Sequence, residues 1–397
     1  MGQNAASGGN PTTPEQKMDV RKFSIPEILC GCGSLKYAAL YARRLGAEKV
    51  FLVSDPGLER AGWVERIFEI LDEARLAWYY FNDVVANPRD HQIEKGARLY
   101  DQEKCDVVMA LGGGSPMDAA KGIAVVASNG GSIHDYEGAN QIQRPLPPMV
   151  FIPSTAGSGA DISQFAIITD TQRQVKMSLI SRTLVPNISI IDPDVLTTKP
   201  TELIISSAID ALSHAVEAYV SRIAYTLTEI QSLKAIDLII MYLPQALEKN
   251  SLEALEKLST ACTSAAMAFS NASLGLDHAL AHSLGGKLDL AHGSIHPVLL
   301  PEVMCYNLPA CRTKMANIGE IVLGRRLDSE EKTARAGIEK LQRFFSALNT
   351  TTALHDIVAD TDVLPQVCRM AVNDACLITN PREATWEDML KILEASW

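Results

Sequence analysis

Residues 106–111 read as an apolar run, DVVMAL, which passes through Gly112-Gly113-Gly114 and Ser115-Pro116-Met117-Asp118 into an Ala-rich helical pattern over 119–127. A buried strand that turns into a helix through residues without side chains is the unit of parallel sheets covered by helices. The same alternation surrounds it. Residues 49–53 form a β-rich run closed by Ser54-Asp55-Pro56-Gly57; 62–74 have helical spacing, 77–81 are extended and 90–102 helical. Further strands are expected at 149–152, 163–169, 175–181 and 189–192. From about Thr201 the strand signals stop, and Ala/Leu/Ile-rich helices at 202–222, 227–248, 252–270 and beyond run to Trp397. The expectation is an α/β, Rossmann-like nucleotide-binding domain over 21–198 and an all-α domain over 199–397. Residues 1–20 are expected to be a flexible polar tail.

The three glycines leave a ligand free to approach the backbone, and the amides and dipole of the following helix attract an anion there. A nucleotide pyrophosphate is the natural guest. The GxGxxG fingerprint is absent, so a plain tight turn remains the other reading. Asp55 ends an earlier strand, where a carboxylate can accept from an adenosine ribose and repel a 2′-phosphate, favouring NAD over NADP; taken alone it also reads as a turn aspartate. The loop at 153–161, PSTAGSGAD, offers the hydroxyls of Ser154, Thr155 and Ser158 for further phosphate or nicotinamide contacts, although Ser-Gly loops are common.

The helical half carries a second signal. Three of the eight histidines fall within eighteen residues, and His278 and His282 stand four apart, on one helix face, with His292 downstream. Asp210 and His214 repeat the four-residue spacing on an earlier helix. One carboxylate and several imidazoles suit a divalent Zn, Fe, Cu or Ni ion. The net charge of −11, without clustered Lys and Arg, argues against a nucleic-acid partner. None of the eight cysteines forms a paired CxxC motif, and Cys30-Gly31-Cys32 reads as tight packing in preference to a redox pair. Scattered cysteines suit a reducing cytosol, and a cytoplasmic protein is expected. No apolar leader core is read at the N-terminus, and Met1-Gly2 lacks the Ser or Thr of a myristoylation signal because Ala6 stands there. No apolar run of membrane-spanning length is read either, so no membrane partner is expected.

Taken together, these motifs resemble the iron-dependent (group III) alcohol dehydrogenases. The likeness covers nearly the whole chain beyond the tail: Gly31 and Gly33, Asp55, Asn87-Pro88, GGGSPMD at 112–118, PSTAGSGAD at 153–161, IDALSHAVEAYVS at 209–221, FSNASLGLDHALAHSLGG at 269–286, His292-Gly293 and Asn380-Pro381-Arg382. The resemblance implies the dehydroquinate synthase-like fold, with Asp210, His214, His278 and His292 as ligands of Fe²⁺ (Zn²⁺ being the alternative). It implies that Asp55, Asn87, Gly112, Gly113, Gly114, Ser115, Asp118, Ser154, Thr155, Ser158 and Lys176 line the groove for NAD(H), that Phe269 walls the substrate pocket and that His282 passes the proton. The activity implied is hydride transfer between short primary alcohols or small diols and NAD, in a homodimer or larger homo-oligomer. A polyol, glycerol or lactaldehyde/propanediol oxidoreductase is the nearest rival, and a sensory relative without turnover a more distant one. The chain departs from the family pattern at Ser154 and Ser158, where threonine is usual, at Asn187, at Glu302, where histidine is frequent, and at His296, an unusual residue after His292-Gly293.

Overall fold

The computed structural model describes residues 21–249 and 251–397, and the tail expected over 1–20 lies outside them. Its strands, in chain order, are β1 (Glu27–Cys30), β2 (Lys49–Val53), β3 (Ala77–Phe81), β4 (Val107–Gly112), β5 (Gly138–Ala139), β6 (Met149–Pro153), β7 (Phe165–Asp170), β8 (Val175–Ile180) and β9 (Ile188–Ile191). Six of them make one all-parallel sheet in the order β1-β9-β6-β4-β2-β3. Its central strands are buried on both faces, which is why they read as unbroken apolar runs. Helices over Ala38–Arg44, Trp63–Glu73, Asp90–Gln102 and Gly114–Asn129 cover it.

Strand order reverses between β2 and β4. From β2 the chain moves outward to β3, then returns across to β4 and onward to β6 and β9. Two diverging connections at such a point open a crevice beyond the carboxyl ends of the strands. Asp55 follows β2, and Gly113 and Gly114 follow β4, so both turns stand at this crevice. The helix after β4 begins at Gly114, not at residue 119, because the glycines form its cap and first turn.

The two strands expected over 163–181 exist, but they leave the main sheet. β7 and β8 pair antiparallel, and β5 joins β8 to make a separate three-stranded sheet against the crevice. β5 has only two residues and was not foreseen.

Beyond the turn Pro193–Thr198 the remaining described chain is helical, led by Thr201–Val220, Thr226–Lys249 and Leu252–Ala272, which share one apolar core. Thr201–Val220 is long and apolar enough by composition to cross a membrane, contrary to the sequence expectation that no segment would be. Its apolar window is 72% buried inside the protein, so the composition is that of a central core helix. The 153–161 loop joins the halves. A Cβ on Gly157 would stand 2.7 Å from the Ser207 carbonyl oxygen, and one on Gly159 2.4 Å from the Ala266 side chain. Cys30 and Cys32 are exposed, which corrects the expectation of tight packing; Gly31 and Gly33 serve a turn at positive φ held by Asp192.

Candidate metal centre and cofactor cleft

The crevice continues as a cleft of about 1080 Å³ between the sheet and the helices. Asp55, Asn87, Gly113, Gly114, Ser115, Asp118, Ser154, Thr155, Ser158 and Lys176 line it on one side. Asp210, His214, Phe269, His278, His282 and His292 line the other. Gly112 does not. It ends β4, where a Cβ would strike the Pro116 ring at 2.5 Å, so its role is to let the helix start against the strand.

On the sheet side, Asp55 caps the Pro56–Arg60 helix, its Oδ1 accepting from the amides of Gly57 and Leu58. Asn87 adopts φ 56° and donates its amide to Ser115 Oγ. The glycine turn is packed closely: a Cβ on Gly113 would stand 3.2 Å from Thr155, and one on Gly114 3.1 Å from Ser158. Ser154 is fully buried and its Oγ has no partner. Burial, opposed by the carboxylates of Asp118, Asp289 and Asp210, lowers the Lys176 ammonium to about 8, and burial raises the Asp118 carboxyl to about 6.

On the helical side, four imidazoles surround one carboxylate oxygen. From Asp210 Oδ1 the Nε2 atoms lie at 3.3 Å (His296), 3.6 Å (His214), 3.7 Å (His278) and 3.8 Å (His292). Donor atoms of Asp210, His278, His292 and His296 all lie within 4.8 Å of one another; His214 is outside that mutual set, although its ring stacks on His278 at 4.5 Å and on Phe269 at 4.2 Å. Asp210 Oδ1, His278 Nε2 and His296 Nε2 are buried without hydrogen-bond partners, as are the Nδ1 atoms of His214 and His292. Unpaired buried polar atoms are costly, and the meeting of Asp210 Oδ1 with the unpartnered Nε2 atoms of His278 and His296 at one point is the mark of a cation site. Burial opposes the Asp210 charge, but the imidazoles, His214 first, outweigh it and hold the carboxyl well below its usual range. Burial lowers His214 to about 3 and also holds His292 well below its ordinary value. Carboxylate neighbours overcome burial to raise His278 to about 10 and His296 to about 8.

Carboxylates behind the imidazoles were missed from the sequence. Glu217 lies one helical turn beyond His214, and its Oε2 is 2.7 Å from His278 Nδ1. The same carboxylate accepts from the amides of Gly275 and Asp277, satisfying the first turn of the Leu276–Leu288 helix that carries His278 and His282. Asp277 Oδ2 is 2.7 Å from His296 Nδ1, and Asp374 Oδ2 is 2.9 Å from His282 Nδ1. Glu217 was open to detection, since it continues the spacing of Asp210 and His214. Asp374 is 92 residues from its partner and had no local signal. Glu302, the other departure near this region, is half-buried on the His296–Asn307 helix and does not line the cleft.

The chain resembles known proteins over both halves. A profile described as iron-containing alcohol dehydrogenase matches residues 26–193, and one for the C-terminal part of the Fe-containing alcohol dehydrogenase family matches 204–397. The NAD-dependent methanol dehydrogenase of Bacillus methanolicus is 35% identical over 375 residues, covering 94% of this chain and 98% of that one. The 1,3-propanediol dehydrogenase of Citrobacter freundii is 36% identical over 388 residues, covering 96% and 100%. A crystal structure of 1,3-propanediol oxidoreductase superposes with a TM-score of 0.93 at 33% identity, over 96% of this chain and 100% of the other. With both halves matched in order, the chain is an oxidoreductase belonging to the iron-containing alcohol dehydrogenase family.

Proposed function

We propose that the protein is an NAD-dependent alcohol dehydrogenase that interconverts short primary alcohols, or small diols, and their aldehydes: alcohol and NAD⁺ give aldehyde, NADH and a proton. The observation that carries this reading is the meeting, in one cleft, of a glycine-opened helix N-terminus and a cluster of unpartnered buried metal-type donors. The names of the relatives support the substrate class and NAD. Asp210, His214, His278 and His292 are the proposed ligands of a divalent ion, Fe²⁺ by family and Zn²⁺ as the alternative. The orphaned atoms around Asp210 fit such a group. A bound divalent ion supplies Lewis acidity to the alcohol or carbonyl oxygen.

The chain's own groups do the rest. The first-turn amides after Gly113 receive the pyrophosphate, Lys176 adds positive charge, and Asp55 stands at the ribose end, where it disfavours a 2′-phosphate. Phe269 walls the reacting end. Asp374 holds His282 Nδ1, which leaves Nε2 as the atom that takes the substrate proton and releases it to solvent. The two halves, 21–198 and 199–397, are proposed as the units flanking the cleft. All eight cysteines are free, which supports a reducing compartment. A homo-oligomer is expected by family resemblance, and size-exclusion chromatography would measure it.

The test is anaerobic. The metal is stripped and NADH formation is followed on a panel of small alcohols after adding Fe²⁺, Zn²⁺ or neither. Turnover restored by one metal and lost in Asp210→Asn supports the reading; tight NADH binding without turnover under either metal would defeat it.

A further inference from the structure

His296 has no role in the ligand set proposed above, yet its Nε2 is the imidazole atom nearest Asp210 Oδ1, at 3.3 Å. The ring is wholly buried and Asp277, itself wholly buried, holds its Nδ1 at 2.7 Å. A carboxylate on Nδ1 keeps one ring proton there and aims Nε2 at the centre, where an ion would displace any second proton and take the lone pair, and that Nε2 makes no hydrogen bond. His278 is built the same way, with Glu217 on Nδ1 and an unpartnered Nε2. Two carboxylate–imidazole pairs therefore aim at one point from different elements. Donors about 2.1 Å from one ion lie about 3.0–4.2 Å apart, depending on the angle between them. All four Asp210–imidazole separations fall in that range, and the donors of Asp210, His278, His292 and His296 also lie within 4.8 Å of one another, a set that includes His296 and leaves out His214. A histidine serving only the apolar core would waste one nitrogen and bury a carboxylate for nothing.

We infer that His296 is itself a ligand of the divalent ion, set with Asp210, His278 and His292 and oriented by Asp277, and that His214, which stands outside that set, draws in as the fifth protein donor when the ion binds. This rests on the metal reading above and goes beyond it. Five protein donors suit an ion that accepts five or six ligands and leave one position for the substrate oxygen. They disfavour Zn²⁺, which prefers four. The extra imidazole thus biases the site towards Fe²⁺ or Co²⁺.

Cobalt reports coordination directly. The full chain loaded with Co²⁺ is compared with His296→Asn, whose amide can still donate to Asp277, with thermal melting to check the fold. We expect weak visible bands in the wild type that intensify and shift in the variant as a donor is lost. We also expect a fall in Co²⁺ affinity of about tenfold or more in chelator competition, and a shift of the Zn²⁺:Co²⁺ preference towards zinc. Should the variant not fold, X-ray absorption of the wild type decides alone, four imidazoles supporting the inference and three overturning it. Identical spectra in wild type and folded variant would make His296 a hydrogen-bonding neighbour and overturn the inference while the four-ligand site stands. A wild type that binds no Co²⁺ at all overturns both.

Discussion

Within the cleft, two side chains separate cofactor binding from proton handling. Lys176 is lowered to about 8, chiefly by burial, so in the free protein it is charged below that pH and neutral above it. Its ammonium favours the anionic cofactor only while charged. NADH affinity is therefore highest below pH 8 and weakens above it by up to about tenfold per pH unit. Fluorescence titration across pH 6.5–9.5 would show this slope, and Lys176→Met should bind more weakly and without it. His282 is proposed to act on turnover instead. His282→Asn is expected to lower kcat by about 10²-fold with NADH affinity kept. Asp374→Asn should act in the same direction more mildly, because it frees the ring that Asp374 orients. Unchanged pH–rate profiles in both variants would remove His282 from the chemistry. Glu217→Gln, behind His278, should cost 10–100-fold in metal affinity, measured by chelator competition.

Helix starts and close glycine contacts set the geometry of both sites. The Leu276–Leu288 helix has no capping side chain of its own; Glu217 and Asn380 accept from its first amides. Those carboxylate and amide oxygens come so near that a Cβ on Gly275 would stand 2.8 Å from each. Gly275→Ala is accordingly expected to displace Glu217, destabilise the fold by about 1–3 kcal/mol and weaken metal binding, as denaturant melts and metal content would register. On the sheet side, Gly114→Leu should press on Ser158 and close the pyrophosphate approach, raising the NADH dissociation constant by about tenfold or more while metal content holds. These two variants act on opposite walls of one cleft, and retention of the other ligand in each is the control.

At the scale of the whole molecule, the cleft is lined from both halves, so ligands should stabilise them together. NADH at 100 times its dissociation constant is expected to add about 2.7 kcal/mol to stability. Calorimetry should then show one transition moving upward; two transitions, with only one responding, would mean that the cofactor engages the α/β half alone. Metal removal should lower the melting temperature, because a buried carboxylate and its unpaired imidazoles are left without a counterion. NADH binding should survive that treatment, since the glycine turn and the Asp210 cluster belong to different elements.

Much of this was legible from local pattern. Apolar runs, glycines at strand ends and the i,i+4 pairs at 210/214 and 278/282 are properties of short segments, and backbone periodicity carries them into the fold. They determined the α/β-then-helical order, the crevice glycines and the idea of a metal site. His292 and His296 repeat the same four-residue spacing, and His296 stood out in the sequence as unusual, but nothing local said that its ring faces Asp210. That was decided by tertiary packing, as were the placing of Asp277, Glu217 and Asp374 behind the imidazoles, the separate sheet of β5, β7 and β8, and the exposure of Cys30 and Cys32. The physical reason is one of range: helical and strand periods order neighbours a few residues apart, whereas these partners are brought together, across up to 92 residues, only when the helices bury their common faces.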